Sequence, residues 1–122
     1  MQTGKDNLIV QLSFDFAIQI VEFTSLLEGI KKWSIANQLL RSGTAIGANV
    51  REAQNAESKA DFIHKMKLAA KEADETEYWL LLCQHAPALP NSDHLLPDLQ
   101  AINRVLSKII GTSKRGGPPP NI

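Results

Sequence analysis

With 122 residues, 43% of them hydrophobic, the chain is sized for one domain whose core needs neither disulfides nor metal. Thirteen basic and thirteen acidic residues cancel, so no whole-molecule field draws it to nucleic acid or an anionic membrane, and any such contact must come from a local patch. The single cysteine, Cys83, excludes an intramolecular disulfide, and no basic start followed by a long apolar run marks a signal peptide or a membrane span, so the expectation is a cytoplasmic protein with no membrane partner.

Residues 1–6 are polar and read as a flexible lead, with Asn7 placed to cap the first helix. Leu8, Val10, Leu12, Phe14, Phe16, Ile18 and Ile20 alternate with mostly polar residues, a strand signal taken alone. A helical repeat competes with it. Ile9, Phe16, Ile20, Phe23, Leu27 and Ile30 continue beyond the alternation to Gly29, where glycine can end a helix, and the longer pattern decides for a helix from about Leu8 to Glu28. Val10, Phe14, Ala17 and Val21 occupy an adjacent face, so this helix is apolar over more of its circumference than one neighbour covers.

Ser34 is placed as the N-cap of a second helix reaching about Asn55. Ala36, Leu40, Gly43, Gly47 and Val50 share one of its faces. A glycine inside a helix costs about 1 kcal/mol relative to alanine, so Gly43 and Gly47, four apart, call for a close approach of another helix. Ser58 followed by Asp61 resembles a capping box, which starts a third helix near Glu57 that runs to about Gln84. Its main apolar stripe is Ile63, Met66, Ala70, Ala73, Leu80 and Cys83, while Leu68, Trp79 and Leu82 lie on another side. Pro87 and Pro90 end it. The fourth helix starts between Ser92 and Asp98, repeats Leu95, Leu99, Ile102, Leu106 and Ile109, and is expected to stop at Gly111, leaving 112–122 as a flexible tail. Four helices with short connections predict an all-α, antiparallel up-and-down four-helix bundle forming a single domain over 1–122.

The run RSGTAIGANVREA, followed by AESKADFIHKM and KEADETEYWL, resembles the family of 23S rRNA-intervening sequence proteins, most strongly over Leu39 to Leu82, with SFDFAIQIVEF in the first helix adding a weaker match. The resemblance implies a small bacterial four-helix bundle without an established biochemical role, and relatives that form pentameric rings imply a homo-oligomer, five subunits favoured. A related group, the accessory proteins of diversity-generating retroelements, implies RNA or DNA as a partner. Those relatives are basic, whereas this chain is neutral overall.

No catalytic residues, metal ligands, cofactor or small-molecule substrate are assigned. Carboxylate-bridged metal sites in bundles need Glu-x-x-His pairs, and none of His64, His85 and His94 follows a glutamate at that spacing. Ser42 and Thr44 beside Gly43 lie inside a helical pattern rather than in a strand-to-helix phosphate loop, and Cys83 falls on an apolar stripe. Arg51 is expected to pair with Glu72 or Glu75 across consecutive helices. For nucleic acid the candidates are Lys67 and Lys71 on the third helix, with Arg104, Lys108, Lys114 and Arg115 beyond Asp98, after which no acid occurs. The surplus apolar residues Phe14, Val21, Leu68, Trp79 and Leu82 are assigned to an oligomer interface. A non-enzymatic, self-associating scaffold that contacts RNA or DNA is the functional expectation, the alternative being a protein-interaction module with no nucleic-acid role.

Overall fold

The computed structural model describes residues 7–116, which form four helices and no strand: α1 Leu8–Gly29, α2 Trp33–Ala53, α3 Lys59–His85 and α4 Leu96–Lys114. Consecutive helices pack together and α4 closes against α1, while the diagonal pairs α1/α3 and α2/α4 do not approach. The result is an up-and-down four-helix bundle. Its thinnest seam is α1 against α4, bridged near one end by the Gln19 amide donating to Asp98 at 3.1 Å.

Each helix supplies one continuous core stripe. Ile9, Phe16, Ile20, Phe23 and Leu27 from α1 meet Ala36, Leu39, Ile46 and Val50 from α2, with Met66, Ala69, Ala73, Leu80 and Cys83 from α3 and Leu99, Ile102, Leu106 and Ile109 from α4 closing the other side. The helical repeat of α1 thus prevails over its alternation, because only a 3.6-residue period puts these five residues on one face. On α3 the stripe passes through Ala69 and Thr76, and Ala70 is only half-buried. The Thr76 side chain is satisfied by Ser42 on α2, hydroxyl to hydroxyl at 2.9 Å, and by the Glu72 carbonyl at 2.8 Å. Ser42 is therefore a buried helix-to-helix link rather than an exposed nucleophile.

The helix ends follow local chemistry. Ser58 accepts from the Asp61 amide at 3.0 Å and Asp61 accepts from the Glu57 amide at 3.2 Å, so the two residues cap α3 reciprocally. Asn7 makes no side-chain cap; its amide donates to Gln54 at 2.8 Å and ties the start of α1 to the end of α2. Ser34 lies inside α2, which begins at Trp33 after an uncapped Lys32. At the end of α1 the left-handed residue is Lys31, with φ 64°, not Gly29. The Lys32 amide reaches back to the Leu27 carbonyl and the Lys31 amide to Glu28, both at 2.9 Å, a Schellman pattern with lysine where glycine is usual.

The expected stop at Gly111 is overturned. Helix α4 continues to Lys114, Ser113 is buried, and Arg115 folds back so that Nη1 lies 3.2 Å from where a Gly111 Cβ would be. Burial of the last turn outweighs the propensity cost of one glycine. Of the two expected flexible tails, 1–6 and 117–122 lie outside the described residues, and 112–114 are helical. By length and composition α1 is apolar enough to cross a membrane, contrary to the expectation that no such run exists; the reason is visible in the bundle, where part of its apolar surface faces the core and part faces outward.

Candidate interaction surface

The outward apolar face begins on α1. Phe14 is 59% exposed and Val21 50%, with Ile18 between them, and at 100° per residue these share one arc that leans toward α2. Beside them a cleft of about 200 Å³ opens between α1 and α2, walled by Val10, Phe14 and Ala17 and by Thr44 and Arg51, with Ser13 and Gly47 at the contact between the helices. The glycines create this geometry. A Cβ on Gly43 would lie 2.8 Å from Cγ1 and Cγ2 of the buried Ile20, and one on Gly47 would lie 3.3 Å from the Ser13 carbonyl oxygen. Close approach of α1 and α2 is thus what both glycines serve. The cleft is apolar, and Arg51 brings the sole charge at its rim.

A second outward face lies on α3. Tyr78 is 60% exposed and Leu82 37%, whereas Leu68 and Trp79 are half-buried. Trp79 packs on the core, meets Tyr78 edge to face at a centroid distance of 5.1 Å, and donates its indole N–H to Glu75 at 3.1 Å. Glu75 also pairs with Arg41, which reaches Glu72 at 3.1 Å. Arg41 hydrogen bonds foremost, then that of Trp79, hold the Glu75 carboxyl below the ordinary glutamate range, and the same two carboxylates raise Arg41 further.

The pairing expected for Arg51 is therefore corrected: Arg41 is the partner of Glu72 and Glu75. Antiparallel register explains it. Ser42 stands level with Thr76 and Glu52 with Lys65, which bond at 2.9 Å, so moving ten residues along α2 from Arg41 to Arg51 departs from Glu75 by about 15 Å. Arg51 turns instead to the α1 cleft.

Lys67 and Lys71 are exposed on the outward side of α3. Arg104, Lys108 and Arg115 follow one exposed line along α4, and Lys114 is exposed about 100° away from Arg115. Among the described residues no carboxylate lies within 4 Å of any of these six cations. No group of three or more His, Cys, Asp or Glu comes together among the described residues, and burial raises the Cys83 thiol above its ordinary value, away from the reactive thiolate.

The family profile described as 23S rRNA-intervening sequence protein matches residues 5–108, from the start of α1 well into α4. The chain belongs to this family. Among solved structures the chain is similar to a protein of unknown function from the S23 ribosomal protein family of Bacteroides thetaiotaomicron, a crystal structure at 1.70 Å. Identity is 42%, the match covers 84% of this chain and 97% of that one, and the TM-score is 0.79. No curated protein matches.

The sequence pattern puts Phe14, Val21 and Leu82 on the outer surface, where they are found, and does not single out Ile18, Leu26, Trp33 and Leu81, all exposed. Ile18 was legible only as part of an alternation. Tyr78, an aromatic with a face suited to base stacking, is more exposed than Trp79 and stands beside it rather than in a basic groove.

Proposed function

We propose that the protein is a non-catalytic scaffold that assembles with copies of itself into a closed homo-oligomer, with five subunits the number favoured by its resemblance to ring-forming relatives. The observation that carries this is the exposure of large apolar side chains on two helices at once, Phe14, Ile18 and Val21 on α1 and Tyr78, Leu81 and Leu82 on α3. Soluble monomers rarely leave contiguous surface of that kind open to water. Phe14→Asp tests it by sedimentation velocity: the aspartate buries an unpaired charge in the seam and shifts the species to monomer, while helicity is retained. Trp79→Ala shifts it less cleanly, since Trp79 also packs on the core. An unchanged assembly in Phe14→Asp contradicts the reading.

A second reading adds RNA or DNA as a partner in the cytoplasm. It is favoured by the line Arg104, Lys108 and Arg115 on α4, together with Lys67 and Lys71, all free of nearby carboxylates among the described residues. Repetition around an oligomer multiplies weak phosphate contacts. Arg104→Gln with Lys108→Gln then weakens binding to a mixed RNA and flattens its salt dependence, in a filter assay from about 50 to 200 mM salt. Salt-insensitive or absent binding leaves the protein-interaction module.

A further inference from the structure

The acids that stand closest in sequence to the α1/α2 cleft are turned away from it. Asp15, which falls between the lining residues Phe14 and Ala17, accepts from the Gln11 amide at 2.9 Å and lies on the flank of α1 that faces α4. Glu52, next to Arg51, is taken by Lys65 on α3 at 2.9 Å. Arg51 is left as the one charged residue lining the cleft, exposed and with no carboxylate within 4 Å among the described residues. Both hydroxyls of the lining are already committed as donors, Ser13 to the Ile9 carbonyl at 2.8 Å and Thr44 to the Leu40 carbonyl at 2.7 Å. The free donors therefore belong to the Arg51 guanidinium, whose planar fork of N–H groups fits a carboxylate at two points.

We propose that this cleft is a binding site for a small monocarboxylate with an apolar body, of the arylalkanoate type. The body rests on Gly47 against Val10 and Phe14, and the carboxylate pairs with Arg51. Size agrees with this ligand. The cleft holds about 200 Å³, and roughly 150 Å³ of apolar space suffices for a benzene ring. Gly47 and Arg51 are four residues apart on α2, about 6 Å along its axis, which is the spacing from a ring to a carboxylate on a short alkyl link. Occupancy also covers the Phe14 ring, 59% exposed in the free chain. Arg51 has a structural use as well, because it sits in the last turn of α2, where a cation favours the helix end. Lysine would keep that charge and lose the fork, so the two roles separate in Arg51→Lys. The site goes beyond the scaffold reading and needs only a single chain.

Amide chemical shifts of the full chain, followed by NMR at neutral pH, test the site. Phenylpropionate is expected to move the signals of Phe14, Gly47 and Arg51 saturably, with a Kd of about a millimolar or tighter for a ligand of this size. Phenylpropanol has the same body and no charge, and it is expected to bind at least about ten-fold more weakly. Arg51→Ala brings phenylpropionate down to the affinity of the alcohol, and Arg51→Lys falls between. Ala48→Phe, at an exposed position on the cleft wall, fills the space and removes both ligands while circular dichroism keeps the wild-type helicity. Shifts that do not saturate, an alcohol that binds as tightly as the acid, or an Arg51→Ala protein that binds phenylpropionate like wild type overturns the site. An apparent affinity that weakens as protein concentration rises also overturns it, since the occupant of the cleft is then a second copy of the chain.

Discussion

A methyl group on Gly43 would meet both branches of Ile20 at 2.8 Å, and Ile20 is fully buried, so it has nowhere to retreat. The expected cost of Gly43→Ala is about 1–3 kcal/mol of overpacking, larger than the propensity gain of about 1 kcal/mol. Gly47→Ala faces only a 3.3 Å contact with the Ser13 carbonyl and should come out near neutral, whereas Gly47→Leu should lose about 1–3 kcal/mol. Urea melts of the three variants check the order, and a more stable Gly43→Ala would contradict close packing there. Lys31 carries the opposite lesson. Its φ of 64° strains an L side chain, so Lys31→Gly should raise stability by about 0.5–1 kcal/mol, visible as a higher Tm. The glycine pair was legible because helical spacing is local information. The strained lysine was not, since Gly29 offers a stop two residues early and only the path of the turn shows otherwise.

At the scale of the elements, Arg41 fastens α2 to α3 through Glu72 and Glu75. The pair is solvent-exposed, so a double-mutant cycle of Arg41→Ala with Glu75→Ala should give a coupling below about 1 kcal/mol that fades with salt, and Arg51→Ala with Glu75→Ala should give none. The pH dependence has a definite sign. Glu75 titrates below its ordinary value of 4.5 in the folded state, so its contribution is present above that pH and is lost as pH falls through the lowered value. The stability gap between wild type and Glu75→Gln should be open at neutral pH and narrow in this acid range; a gap that widened on acidification would contradict the pairing. Helix number, the Ser58–Asp61 cap and the core stripes of α1 and α4 could be read from periodicity. Arg41 could not be told from Arg51, because both are spaced to reach α3 and only the loop between Gln54 and Ser58 sets the register. Nor could the extension past Gly111, which depends on burial of Ser113.

For the whole molecule, the surplus of apolar side chains on α1 was legible because two adjacent stripes fit one helix pattern, and the bundle has only one core to receive them. The division of α3 was less so. Trp79 looked like the natural anchor, yet it is half-buried over the core and held by Glu75, which leaves Tyr78 as the exposed aromatic. The proposed assembly joins these observations, since a ring of copies covers the α1 and α3 faces together and repeats the α4 cations. Light scattering coupled to size-exclusion chromatography, on wild-type protein at tens of micromolar, tests it most directly. The expected mass is a defined multiple of 13.4 kDa, five-fold for the favoured ring, and a single species at 13.4 kDa would contradict self-association and the multivalent nucleic-acid reading with it.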